Sequence, residues 1–148
     1  SYVSSVAVDS QFNVYAGEDY GYVTKLDHNG NKLWKWSAPA NGNYVAVDSQ
    51  FNVYVGDNAQ CVTKLDSNGY KLWQWTALSY VQSVAVDSQF NVYSGDYDGN
   101  VTKLDGNGKQ VWQWTAPSAV NSVAVDSQFN VYVGDSGDHV TKLQTANQ

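Results

Sequence analysis

The chain has 148 residues with 8 basic and 14 acidic side chains, a formal charge of −6, and 15% charged against 14% aromatic residues. The charged share falls below the roughly 25% of an average soluble protein, and the basic residues stand singly, leaving no basic footprint for nucleic acid or an anionic membrane. No apolar run reaches the about 18 residues that span a bilayer, and one cysteine, Cys61, excludes an internal disulfide and a cysteine-based zinc site.

Methionine is absent and the chain opens on Ser1, which points to removal of an initiator residue or to a processing or cloning boundary. No leader segment is recognisable, so the sequence leaves the compartment open. The length suits one domain with a real core.

An internal repeat sets the architecture. The string VAVDSQFNVY begins at Val6, Val45, Val84 and Val123, a constant step of 39 residues. VTKL keeps the same step from Val23, Val62, Val101 and Val140. LWKW, LWQW and VWQW begin at Leu33, Leu72 and Val111. The units are therefore 1–39, 40–78, 79–117 and a shorter 118–148, in which the tail 144–148 replaces the Trp-x-Trp segment and leaves the last unit without a fourth strand.

Within the first unit, residues 6–9 alternate Val, Ala and Val before an Asp-Ser turn opener. Residues 13–17 form a second strand with Val14 and Tyr15 on opposite faces. A Gly- and acid-rich turn at 17–22 leads into a third strand at 23–26. Asp27-His28-Asn29-Gly30 reads as a hairpin in which Asn-Gly supplies positive φ angles. Residues 33–36 form the fourth strand, and Pro39 and Pro117 mark linkers to the next unit. No window carries the i, i+3, i+4, i+7 pattern of a helix. The expectation is all-β: four-stranded antiparallel units that need a neighbour on each side, as in a β-propeller.

At these residues the chain resembles known families. SVAVDSQFNVYVGD is similar to a blade of the NHL type. VTKLDSNGYKLWQW resembles the quinoprotein (PQQ-like) blade, whose tryptophan-docking motif follows L-D-x-x-G-x-x-x-W. That pattern stands here as Leu26-Asp27…Gly30…Trp34, Leu65-Asp66…Gly69…Trp73 and Leu104-Asp105…Gly108…Trp112. The resemblance implies that Trp34, Trp73 and Trp112 dock onto the adjacent blade at the three internal boundaries. Burying an aromatic of this size contributes roughly 2–3 kcal/mol. The near-verbatim repeats suit a designed or a recently amplified symmetric propeller.

The blades are small and the inner strand offers Val and Ala to the axis, which suits a ring larger than four blades. The expectation is a half-ring completed by a second chain, a homodimer with eight blades in which unit 4 of each copy packs on unit 1 of the other. A half-ring left open exposes two apolar faces, which soluble proteins avoid.

No catalytic constellation emerges. His28 and His139 do not recur in the other units, where Ser67, Gly106, Cys61 and Asn100 take their places. The stretch from Gly95 to Asn100 spaces oxygen ligands as calcium loops do but lacks the later bidentate Glu. Asp9, Asp48, Asp87 and Asp126 recur at one position and read as caps on turn amides. The matched tryptophans lie on the outer strand, so the quinoprotein likeness carries no quinone site; no cofactor or metal is expected.

The sharper alternative is a multivalent carbohydrate- or protein-binding surface. Tyr15, Tyr54, Tyr93 and Tyr132, with Trp36, Trp75 and Trp114, are candidate platforms as well as candidate packing residues. With strands running up and down, one loop face is nearly invariant, while the other holds most differences, including Tyr2, Gly42, Tyr80 and Ala119. Loops on a rigid frame usually carry binding, and Asp19, Tyr20, Asn58, Tyr97, Asp98 and Asp138 form the candidate face. The reading favours a non-enzymatic, self-assembling structural scaffold, with lectin-like binding as the alternative.

Overall fold

The computed structural model describes residues 2–144. These residues form fifteen strands in four sheets, and none of them is helical. The first sheet orders β1 (Val3–Val8), β2 (Val14–Glu18), β3 (Tyr22–Leu26) and β4 (Lys32–Ser37). The second repeats this with β5 (Tyr44–Val47), β6 (Val53–Gly56), β7 (Cys61–Leu65) and β8 (Lys71–Thr76). The third holds β9 (Val81–Val86), β10 (Val92–Asp96), β11 (Asn100–Leu104) and β12 (Gln110–Thr115), and the fourth β13 (Val120–Val125), β14 (Val131–Asp135) and β15 (Val140–Leu143). All pairings are antiparallel. The expected tail at 144–148 lies, from residue 145 on, outside the described residues.

The first strands of the sheets succeed one another: β1 meets β5, β5 meets β9 and β9 meets β13. Strand alternation aims one residue set at each neighbouring sheet, so the hydrophobic core lies between sheets rather than within them. Tyr15, Val23 and Val45 share one cluster, Tyr54, Val62, Val81 and Val84 a second, and Tyr93, Val101, Val120 and Val123 a third. Each cluster draws on two consecutive units, which makes every internal boundary a small core of its own. Tyr15, Tyr54 and Tyr93 are fully buried, so they belong to this packing and form no exposed platform.

The hairpins differ in one respect from the sequence reading. Of the Asn29-Gly30 pair only Gly30 has positive φ, +86°, and the turn closes through Gly30 N–H donating to Asp27 O at 3.0 Å. Asp27 Oδ1 also accepts from the N–H groups of Asn29 and Asn31, both at 2.9 Å. The result is an Asp-anchored loop followed by a bulge at Leu26 and Lys32 rather than a two-residue turn. The Asp-Ser-Gln-Phe-Asn turn is the same device. Asp9 Oδ1 accepts from Gln11 N–H at 2.9 Å and Asn13 N–H at 3.0 Å, while Phe12 takes the left-handed position with φ 66°. A third version on the opposite loop face uses Asp57, Asp96 and Asp135.

Candidate functional site

Four features of the fold can carry function: the internal boundaries, the two terminal sheet faces, the anchored loops and the variable loop face.

At the first boundary the indole of Trp34 lies over Gly69 of the next unit, where an added Cβ would stand 2.9 Å from Cδ2. Trp34 Nε1 donates to the carbonyl of Ser67 at 3.0 Å. Trp73 repeats this over Gly108, with a Cβ at 2.7 Å and Nε1 donating to Gly106 O at 3.1 Å. The carbonyl equivalent for Trp112 belongs to residue 145, outside the described residues. Each indole also tilts against a buried tyrosine of its own sheet, 6.2 Å for Tyr15 and Trp34. The repeated lysine of VTKL completes the joint, a role the sequence reading missed. Lys25 Nζ lies 5.3 Å from the Tyr15 ring centroid and donates to the same Ser67 O at 3.3 Å, and Lys64 does likewise with Tyr54 and Gly106 O.

The terminal faces break the pattern. Val45, Val84 and Val123 are 7%, 9% and 6% exposed, whereas Val6 at the same repeat position is 66% exposed. Val23, Val62 and Val101 are fully buried, whereas Val140 is 84% exposed. Gly95 receives Val120 and Val123 of the next unit, and Gly56 receives Val81 and Val84; around Gly134 no atom lies within 4 Å of an added Cβ. Ser5 Oγ accepts from Val45 N–H at 3.2 Å and Ser83 Oγ from Val123 N–H at 3.0 Å, while Ser122 in the same position is exposed.

The repeated aspartates are consumed by their own loops. Asp48 Oδ2 accepts from Asn52 Nδ2 at 3.0 Å and from the Tyr54 hydroxyl at 2.7 Å, beyond the amides on Oδ1. Burial pushes the Asp9 carboxyl up, but hydrogen bonds from Asn13, Tyr15 and Gln11 outweigh it and hold it below its ordinary value. Burial and the facing carboxylate push the Tyr15, Tyr54 and Tyr93 phenols well up. In the stretch spaced like a calcium loop, Asp96 accepts from Asp98 N–H, Asn100 N–H and Asn100 Nδ2. Among the described residues no group of three or more His, Cys, Asp or Glu is placed to hold a metal. His139 Nδ1 lies 3.1 Å from Asp135 Oδ1, where Asn100 stands in the third unit. Cys61 is buried with Sγ 2.9 Å from Gln74 Nε2, and burial raises its thiol first, then the Asp57 charge.

On the variable face, three of the six candidates meet. Asp19, Tyr20 and Asn58 line a cleft of about 350 Å³ together with Tyr2, Asn41 and Gly42. Tyr97 stands at the next boundary, 6.4 Å from Tyr80, and Asp98 and Asp138 are exposed elsewhere in their loops. The cleft has a sequence cause that single-residue reading misses. Val3, Val81 and Val120 occupy one repeat position, and Gly42 replaces them in the second unit.

A family model described as outer membrane protein assembly factor BamB, PQQ_2, matches residues 19–147, which bears out the quinoprotein-type resemblance. No curated protein sequence matches the chain. Among solved structures, the crystal structure of the computationally designed Ika4 protein superposes with a TM-score of 0.87 at 18% identity, covering 97% of this chain and 91% of that one. The structure of U3-55K superposes with a TM-score of 0.85 at 12% identity, covering 96% of this chain and 51% of that one. At these identities the likeness is one of fold.

Proposed function

This chain belongs to the PQQ_2 family, and we propose that it is a non-enzymatic structural scaffold that self-assembles, two copies closing one eight-bladed ring. One observation carries the reading. The boundary that the chain builds three times internally is present at its ends as two separated halves, the exposed Val3 and Val6 on one and the open Gly134 on the other. Because Val3 and Val6 are the repeat equivalents of Val120 and Val123, the surface that Gly95 accepts is offered by a second copy in the same chemical form.

The contact is head to tail, so it either closes or runs on. Two copies close it twice about one axis and leave no bare apolar face, which removes the penalty of exposed valines. The consumption of the repeated carboxylates by turn amides supports a structural rather than a catalytic role for the invariant face. Native mass in solution tests the reading: twice 16.3 kDa, about 33 kDa, is expected at micromolar concentration. A single species at 16.3 kDa, or a mass that grows without limit, overturns it.

A further inference from the structure

We propose that the cleft between the first two units binds a neutral saccharide. It lies within one chain, between the 19–20 and 41–42 loops and Asn58, so it does not depend on ring closure. Its origin is physical. Valine at position 42 would fill the boundary as Val81 and Val120 do at the other two. Gly42 instead has φ +72°, a left-handed conformation that β-branched residues avoid. The strand that begins at Val81 and Val120 in later units begins only at Tyr44 here. The Asn58 side chain leans into the vacated space, with Nδ2 2.6 Å from where a Cβ on Gly42 would stand.

The lining selects the ligand class. Tyr2 and Tyr20 are 79% and 73% exposed, presenting ring surface at the mouth. A pyranose has one face of weakly positive C–H groups, which an aromatic face attracts. Asn41 and Asn58 supply amide donors and acceptors, and Asp19 accepts only, which matches the vicinal hydroxyls of a sugar. Asn58 N–H donates to Asn41 O at 3.0 Å and Asp19 N–H to Tyr2 O at 2.8 Å, which holds the loops together. Asn58 Nδ2 donates to Asn41 Oδ1 at 3.3 Å and leaves each amide a further donor or acceptor for a ligand. Among the described residues that line the cleft none is cationic, Asp19 brings a carboxylate, and the whole chain is acidic, which disfavours phosphate or carboxylate ligands. The volume sits at the small end of ligand clefts, suiting one or two sugar rings.

The test is a titration of the full chain with neutral sugars (glucose, galactose, N-acetylglucosamine, maltose and cellobiose), followed by amide chemical shifts, with inorganic phosphate as the anionic comparison. The expected result is saturable binding of at least one sugar at about 10 mM or tighter, with shifts confined to the cleft loops and none from phosphate. Tyr20→Ala and Asn58→Ala, both at loop positions, are each expected to weaken it about tenfold. Gly42→Val is expected to abolish it while leaving the native mass unchanged. No saturation by any sugar at about 100 mM, equal binding in Tyr20→Ala and Asn58→Ala, or tighter binding of phosphate overturns the proposal. A monomeric mass with intact sugar binding would remove the scaffold reading and leave this one standing.

Discussion

The hydroxyl of Tyr54 donates to Asp48 Oδ2 across 2.7 Å, with both residues buried. The bond ties the second strand of a unit to the turn that feeds it, and it recurs from Tyr15 to Asp9, Tyr93 to Asp87 and Tyr132 to Asp126. Removing the hydroxyl leaves a carboxylate oxygen with Asn52 Nδ2 alone. Tyr54→Phe is therefore expected to cost about 2 kcal/mol, since bonds to charged groups are the stronger kind. Tyr132→Phe, at a half-buried site with a 2.9 Å bond, should cost less. Urea midpoints of the two variants check the order.

Two of these carboxylates, Asp9 and Asp126, make the fold acid-labile. Backbone donation from Asn130 and further hydrogen bonds hold the Asp126 carboxyl at about 2, against an ordinary 3.8, and Asp9 is lowered too. A depressed value in the fold means that the unfolded chain binds protons first as pH falls. Their stabilisation is whole above about pH 4 and is lost as pH falls toward about 2. Denaturant midpoints measured from pH 6 to pH 2 should stay level and then drop; a curve that is flat down to pH 2 contradicts the assignment.

Asp57 behaves in the opposite sense. Its Oδ1 accepts from Ala59 and Cys61 N–H, but Oδ2 is buried with no hydrogen-bond partner, and burial raises the carboxyl. The third unit satisfies this site with Asn100 Nδ2 and the fourth with His139, whereas the second places Cys61 there. A raised value means the fold holds its proton longer than the unfolded chain, so stability falls as pH rises through that interval. Asp57→Asn keeps the acceptor on Oδ1 and removes the buried charge. It should gain about 1 kcal/mol at pH 8, with the gain vanishing near pH 4. Thermal melts of both proteins at the two pH values decide it.

Much of the fold was legible because the repeat multiplies a weak signal. One Val-Ala-Val run is ambiguous, but four at a fixed step of 39 residues, each followed by VTKL, leave little besides stacked four-stranded sheets. The Asp-anchored loops were half legible. Pattern identifies the aspartate as a turn cap but hides the parallel between Asp-Ser-Gln-Phe-Asn and Asp-His-Asn-Gly-Asn, because Phe12 gives no compositional hint of its left-handed φ of 66°. Of the six residues named for the candidate face, Tyr97, Asp98 and Asp138 stand apart from the cleft. Asp19, Tyr20 and Asn58 converge only because Gly42 fails to fill the boundary, a relation between a loop and the neighbouring unit that strand pattern does not carry. Lys25 and Lys64 went unread because a lysine in a strand signals a solvent edge, whereas here the tyrosine face and a carbonyl cover the ammonium group.

The glycines of the docking pattern separate two costs. Gly30 and Gly108 share a left-handed φ, +86° and +82°, so alanine at either carries about 1 kcal/mol of backbone strain. Around Gly30 nothing lies within 4 Å, whereas at Gly108 the new Cβ meets the Trp73 ring at 2.7 Å. Gly108→Ala is expected to cost about 1–3 kcal/mol more than Gly30→Ala, the usual range for overpacking, and to shift the emission of Trp73 as its ring is displaced. Equal costs would mean that the indole does not rest on the glycine.

The sharpest separation of chain stability from assembly comes from Gly95 and Gly134, which occupy one repeat position. At Gly95 an added Cβ runs into Val120 and lies 2.8 Å from Val123 Cγ2, so Gly95→Val drives the third and fourth units apart. Overpacking of that kind costs about 1–3 kcal/mol and shows in the melting of the monomer itself. At Gly134 the same side chain meets nothing within its own chain, and its φ lies outside the left-handed region, so valine fits the strand without strain. Gly134→Val therefore adds no strain within the chain, and any fall in its stability reports the lost contact between copies. In the proposed ring the notch receives Val3 and Val6 of the second copy, and filling it must push them out. The expected outcome is a folded protein of 16.3 kDa with an unaltered far-ultraviolet spectrum. Val6→Glu, placing a charge on the opposite half of the same contact, should give the same mass, because a carboxylate there cannot be buried without a partner. A dimer that survives both substitutions would have to be joined through some other surface.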